Sequence, residues 1–219
     1  MFLHRHRPQG LESPACQICN KVTGAHEQFA AMLARTYPEP RTRKEADEVK
    51  SLMRAVHRQT PQVLAEMMPS WRQQYDVAGQ FGVNFEGGAL NVGGSLVNTS
   101  IQVFGAKLIM AIHYHCTGEI VPAAGGVAIK WFTNWDKVNN KIPDSLFSLL
   151  GTPQTLRQGS WSVPDQFEYS WVATDCRRMA HYVSTFRKSF LIAGLVHVDS
   201  NELRQKFPQV SIRRPGQWS

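Results

Sequence analysis

The most apolar helical stretch of the sequence, residues 96–116, has to be buried wherever the chain folds. Its other faces are apolar too, so we expect this helix at the centre of the core. Polar residues interrupt it, which indicates a buried helix of a soluble protein and no membrane span. The aligned apolar residues are Val97, Ile101, Phe104, Leu108 and Ile112, and the interrupting residues are Asn98, Gln102, Lys107 and two His.

The segments before this helix predict three further helices. Apolar residues recur at helical spacing over residues 26–37, where Pro38 ends the run, and again over residues 44–58. Thr60 followed by Pro61 is typical of a helix start, and this third helix is interrupted by Pro69. Residues 1–24 show no clear periodicity, so we expect a loop there.

The second half of the sequence predicts mostly strands. A short strand over 82–85, a turn at Gly87 and Gly88, a strand over 127–132 and a short helix over 143–150 are expected. Apolar and polar residues then alternate over 167–173, and segments 181–186 and 190–198 follow as partners in an antiparallel meander. With helices first and the sheet later, the predicted class is α+β, with a central buried helix and a C-terminal antiparallel sheet.

Composition limits the classes of function. The chain has 219 residues, which fits one sizeable domain with or without a small appendage. Its formal net charge of +7 suits an anionic partner such as nucleic acid. No Walker loop, Gly-x-Ser-x-Gly motif or paired acidic cluster occurs in the sequence, so nothing indicates a P-loop nucleotidase, a serine hydrolase or a glycosidase.

Four cysteines in a chain of this length are not typical of a secreted disulfide scaffold. The N-terminal residues contain no apolar segment of the kind found in signal peptides. We therefore expect a cytoplasmic protein with reduced thiols and no membrane association. The cysteines are Cys16, Cys19, Cys116 and Cys176.

Cys16 and Cys19 form a Cys-x-x-Cys pair, the spacing that supplies two of the four ligands of a structural zinc ion. His4 and His6, or His26, are candidates for the remaining ligands because they lie close in sequence. The alternative completion uses His113 and Cys116, which are three residues apart and hence on one face of the central helix. Two other interpretations remain: unpaired thiols in a loop, and a redox dithiol, which the lack of a surrounding βαβ pattern disfavours.

Two further groups of residues have a functional and a structural interpretation. The His-Tyr-His-Cys run at 113–116 suits proton transfer or metal binding, but core packing explains it better. Aromatic residues interleaved with Lys suit stacking of single-stranded bases, and they equally suit the core of a sheet. This aromatic group comprises Trp131, Phe132, Trp135, Trp161 and Trp171, with Lys130 and Lys137 beside it.

The segment RPQGLESPACQICNKVTGAHEQFAAMLARTYP resembles the second half of the motif of zinc-containing His-Asn-His (HNH) endonuclease-like proteins of bacteria and phages. In that group a similar stretch follows an upstream Cys-x-x-Cys and a Glu-His or Asp-His dipeptide. The resemblance implies that Cys16 and Cys19 are the second pair of a zinc knuckle. It places Asn20 at or near the motif's middle Asn, and His26 or Glu27 at its last position as a metal ligand. The later stretch KLIMAIHYHCTGEIVP is similar to long members of the group.

The sequence departs from the family pattern at its start, since the upstream Cys-x-x-Cys and the dipeptide are not found ahead of Cys16. The missing His is the general base in HNH chemistry, where it activates a water while a divalent metal such as magnesium neutralises charge on the phosphate. Either the missing half lies upstream of Met1 or the chain is a truncated, inactive relative. Of the residues present, the resemblance assigns catalytic positions to Asn20 and His26.

Two functions are therefore expected as alternatives. The first is an HNH-like nuclease relative that hydrolyses DNA with a divalent metal when intact. The second is a non-catalytic nucleic-acid-binding or regulatory protein that keeps the fold, with a protein partner as a further option. The predicted organisation is a partial HNH segment with a zinc knuckle over residues 1–40 and an α+β domain over residues 41–219.

Overall fold

The computed structural model describes residues 13–36, 42–67, 91–158, 161–162 and 166–218. Helices dominate the N-terminal part and strands the C-terminal part, which confirms the α+β prediction. Several expectations lie outside the described residues: the strand over 82–85, the turn at Gly87 and Gly88, the break at Pro69, and the ligands His4 and His6.

The four main helices include the predicted ones and extend the first of them. They are α1 (Gln17–Thr36), α2 (Arg43–Gln59), α3 (Pro61–Met67) and α4 (Ser95–Thr117). The loop predicted up to residue 24 is wrong from Gln17 onward, because α1 begins directly after Cys16. Periodicity did not reveal this first part of α1, since its apolar residues Ile18 and Val22 point to the exterior, 75% and 50% exposed.

One six-stranded antiparallel sheet forms the other layer. Its strands are β1 (Gly126–Thr133), β2 (Gln154–Thr155), β5 (Phe167–Ala173), β6 (Met179–Phe186), β7 (Phe190–His197) and β8 (Ile212–Arg213), in the order β2-β5-β6-β7-β1-β8. The predicted meander is β5-β6-β7, and the predicted strand over 127–132 is β1, which pairs with β7 from Gly126–His197 to Thr133–Phe190. A separate short ladder joins β3 (Arg157–Gln158) to β4 (Trp161–Ser162).

The helix predicted over 143–150 is mostly wrong, because only Asp144–Leu146 forms a 3₁₀ turn. Here i to i+3 bonds such as Phe147 N–H to Asp144 O hold the segment, and Ile142, Leu146 and Leu150 pack on the outer face of the sheet. Two short helices were not predicted: α5 (Asn134–Val138) and α6 (Ser200–Lys206).

Helix α4 is buried in the core, as the sequence predicts, and it packs on the inner face of the sheet. A Cβ on Gly194 of β7 would stand 2.5 Å from Ile109 Cγ1, so glycine there permits the close approach of helix and strand. The same core includes Phe29, Met32 and Leu33 of α1. Of the described helices, α4 alone is long and apolar enough to cross a membrane, and 61% of its apolar window is buried inside the protein, which is compatible with a soluble protein.

Candidate functional site

Cys16 and Cys19 lie together at the start of α1. Their Sγ atoms are 3.0 Å apart, and the backbone N–H of Cys19 donates to Cys16 Sγ at 3.2 Å. Cys16 therefore occupies the N-cap position, where its sulfur accepts a bond that a Ser or Asp side chain usually accepts. All four cysteines of the chain are free, and Cys16 is exposed.

Hydrogen bonding lowers the pKa of the Cys16 thiol. The Cys19 side chain makes the largest contribution and the Cys19 backbone N–H the next, because both stabilise a negative sulfur. The dipole of a 20-residue helix acts in the same direction. This environment favours the thiolate, the form that attacks disulfides and binds metals.

Lys107 connects α4 to the beginning of α1. Its Nζ donates to Asn20 Oδ1 at 2.7 Å, to Thr23 Oγ1 at 2.9 Å and to Glu27 Oε1 at 2.6 Å. The three protons of the ammonium group thus each have an acceptor. Thr23 Oγ1 also lies 2.9 Å from Cys19 O, so the turn that carries the cysteine pair is tied to this cluster.

The structure does not bring Asn20 and His26 to one site. The Asn20 side chain contacts Lys107 of α4, whereas His26 lies near Arg213 of β8. Burial and the positive charge of Arg213 lower the pKa of His26. His26 Nδ1 is buried and has no hydrogen-bond partner among the residues that the structure describes. Two residues that are six positions apart face different sides of a helix, which explains the separation.

His113 and Cys116 point into the interface between α4 and the sheet. His113 Nδ1 lies 2.7 Å from the Tyr182 hydroxyl, and both side chains are buried. Burial lowers the pKa of His113 and raises that of Cys116 to about 11, while a hydrogen bond with Tyr169 acts on the Cys116 thiol in the opposite direction. These shifts favour the neutral forms of both groups.

The structure does not bring Cys16, Cys19, His113 and Cys116, the expected zinc ligands, together as one group. Within the described ranges, no group of three or more His, Cys, Asp or Glu side chains is placed to hold a metal ion. The described ranges likewise do not assemble a carboxylate set for a catalytic magnesium ion.

A basic surface runs along the C-terminal half of α2. We define the α2 basic face as Lys50, Arg54, His57 and Arg58, which are all exposed. These residues recur every three or four positions and so lie on one side of the helix. Three of them line a shallow groove between α2 and α3, together with Ser51, Met53 and Leu64.

The aromatic residues of the sheet mostly pack inside the protein. Trp131 Nε1 donates to Asn98 Oδ1 at 3.0 Å, and its ring meets Phe190 edge to face. Trp171 stacks on Tyr182 with ring centroids 6.2 Å apart. Both indoles are partly buried against the main core, so the arrangement is that of a sheet core.

Sequence reasoning singled out Asn20 but missed Thr23 and Lys107, which surround it. Asn20, Thr23 and Glu27 recur at positions i, i+3 and i+7, which is a polar stripe on α1. Lys107 is the one Lys of the apolar central helix. The polar stripe on α1 and the single Lys on α4, taken together, could have predicted that these two helices are joined by polar contacts.

Comparison of the chain with protein-family models, with curated proteins and with solved structures finds no match.

Proposed function

We propose that the chain is a cytoplasmic nucleic-acid-binding relative of the HNH endonucleases and that it binds DNA through the α2 basic face. The observation that carries the proposal is the placement of Lys50, Arg54, His57 and Arg58 on one exposed side of a helix. From Lys50 to Arg58 this face extends about 12 Å, long enough to follow several phosphates of one strand.

The charges of α2 are divided along its length, which supports this assignment. Its acidic residues Glu45, Asp47 and Glu48 all lie in the N-terminal half, and Glu48 is paired with Arg35 of α1 at 2.9 Å. Among the residues that the structure describes, no acidic side chain forms an ion pair with the basic face. Its cations are therefore available to phosphates, which dominate the affinity of proteins for DNA.

The groove beside the basic face adds apolar contact area. Met53 is 42% exposed there, and Leu64 of α3 lines the same groove. Apolar side chains next to cations suit a ligand that presents sugar and base surfaces beside its phosphates.

The test is fluorescence anisotropy of a labelled DNA duplex titrated with the full chain at several salt concentrations. We expect binding at low salt that weakens steeply as salt rises. Lys50→Glu together with Arg54→Glu should reduce the affinity at least about tenfold, because two phosphate contacts become repulsive. Arg204→Glu with Lys206→Glu changes the net charge equally on the exposed last turn of α6 and is the matched control. Equal losses in both double variants would contradict the assignment to α2.

A second candidate function is metal-dependent cleavage of DNA, which the resemblance implies. The cluster around Lys107 favours it, since this cluster sets Asn20 beside a carboxylate and an ammonium group. Plasmid nicking with magnesium, manganese or zinc should then be lost in Asn20→Ala and kept in Asn201→Ala, a substitution on the exposed surface of α6. No nicking by the wild-type chain with any of the three metals would contradict this function and leave DNA binding as the activity.

A further inference from the structure

The cysteine pair has the geometry of a reactive dithiol. Cys16 is exposed, Cys19 is half-buried, and their sulfurs are 3.0 Å apart, whereas the sulfurs of a disulfide are about 2.05 Å apart. A movement of about 1 Å therefore converts the dithiol to a disulfide. The difference in exposure also distinguishes an attacking sulfur, Cys16, from a resolving one, Cys19.

We propose that Cys16 and Cys19 are a thiol–disulfide redox pair that exchanges electrons with small-molecule or protein disulfides. This inference goes beyond DNA binding and does not depend on it. It also explains the pairing of the two cysteines without further metal ligands, which the described residues do not place beside them.

The exchange has two steps. The Cys16 thiolate attacks one sulfur of an external disulfide, forms a mixed disulfide and releases the other sulfur as a thiolate. Cys19 then gives its proton to solvent, attacks Cys16 Sγ and displaces the second external sulfur. The protein loses two electrons and two protons in forming the Cys16–Cys19 bond, and the external disulfide is reduced to two thiols.

The fold keeps Cys19 in position for the second step, its attack on Cys16 Sγ. Thr23 Oγ1 lies 2.9 Å from Cys19 O and receives a bond from Lys107 Nζ at 2.9 Å. This chain of contacts anchors the first turn of α1 to α4, so the resolving thiol stays near Cys16. A reactant held in place reacts as if it were highly concentrated, which favours closure of the protein disulfide over a persistent mixed disulfide.

The other cysteines of the chain provide internal controls. Cys176 is exposed, and its Sγ lies 3.5 Å from Thr174 Oγ1 rather than beside a second thiol. Cys116 is half-buried and forms a hydrogen bond with Tyr169, and its raised pKa disfavours the thiolate. A residue like Cys176 is expected to stop at the mixed disulfide because it lacks a resolving partner.

The experiment equilibrates the full purified chain with mixtures of reduced and oxidised glutathione. Remaining thiols are then alkylated and the product is weighed by mass spectrometry. In the peptide that carries Cys16 and Cys19 we expect both thiols to disappear with the loss of two hydrogens, while Cys176 carries bound glutathione. Cys16→Ser and Cys19→Ser should each lose the Cys16–Cys19 bond and carry one glutathione at the remaining cysteine of the pair. Cys176→Ser should form the disulfide as the wild type does.

Two results would overturn the proposal. One is that Cys16 and Cys19 remain alkylatable in fully oxidised glutathione while circular dichroism shows a folded chain. The other is one equivalent of zinc in the purified chain that disappears in Cys16→Ser, because zinc thiolates resist exchange and would make the pair a metal site.

Discussion

Lys107 Nζ lies 2.6 Å from Glu27 Oε1, and this ion pair joins the central helix to the first helix across the outside of the core. The Lys side chain is 20% exposed and that of Glu27 is 41% exposed. Solvent therefore screens the pair in part. The additional bonds to Asn20 and Thr23 make it a network rather than an isolated contact.

Lys107→Met should lower the free energy of unfolding by about 1–2 kcal/mol, because three acceptors lose a charged donor. The midpoint of urea denaturation measures this change. Lys50→Met, on the exposed face of α2, is the control and should change the free energy by less than about 0.5 kcal/mol. Equal effects of the two substitutions would show that the network adds nothing to stability.

Gly194→Ala should destabilise the fold by about 1–3 kcal/mol, because the new methyl group overlaps Ile109 and forces α4 away from β7. Gly24→Ala is the matched substitution in α1, where a Cβ would meet no atom within 4 Å. It should stabilise by about 0.5–1 kcal/mol, since alanine is the better helix former. Thermal denaturation of both variants measures the difference, and a neutral Gly194→Ala would contradict the packing of α4 on β7.

Tyr182→Phe should cost about 1–2 kcal/mol of stability, because the variant leaves His113 Nδ1 buried without its hydroxyl partner at 2.7 Å. The ring itself and its stacking on Trp171 are retained. Tyr114→Phe, at a half-buried position on α4 next to His113, should have a smaller effect. Chemical denaturation checks both, and a neutral Tyr182→Phe would mean that the hydroxyl–imidazole contact contributes little.

Stability should fall as the pH is lowered from about 7.5 to 5.5. Burial lowers the pKa values of His26, His113 and His181 below the usual 6.5. Below pH 6.5 the unfolded chain therefore binds more protons than the folded chain, so the free energy of unfolding decreases as pH falls through this range. His181→Gln should flatten the dependence measured by urea denaturation at each pH, because one of the three buried imidazoles is removed.

The salt dependence of DNA binding should report the number of phosphate contacts. Arg54→Ala with Arg58→Ala should reduce the slope of log affinity against log salt concentration by about 2, one for each cation removed. The exposed residues Arg204 and Lys206 on α6 provide the corresponding control. A slope that does not change in the α2 variant would place the contacts elsewhere.

Much of the fold was predictable because its strongest patterns are local. The apolar face of α4 and the alternation along β5 each identify an element without reference to the rest of the chain. The position of β1 was harder to foresee. It pairs with β7, more than fifty residues later in the sequence, and the pattern of a strand does not specify its distant neighbours.

The candidate sites were less predictable for the same reason. Asn20 and His26 are close in sequence, yet they lie on different sides of α1. Asn20 contacts Lys107, whereas His26 lies near Arg213. The resemblance to HNH proteins concerned residue types and their spacing, neither of which specifies side-chain contacts between distant segments. The 3₁₀ turn at Asp144–Leu146 was likewise not predictable from local spacing, because the apolar residues around it pack on the outer face of the sheet.

The absence of a side chain at Gly194 also determines where α4 can sit along the sheet. Ile109 occupies the recess that this glycine leaves. Sliding the helix by one turn, about 5.4 Å, would put Gly105 or His113 over the recess. Gly105 would leave it empty, and His113 would bring a polar ring there. The recess therefore favours one position of α4 along the sheet. Neighbouring arrangements of the core are higher in energy, so a single packing is specified.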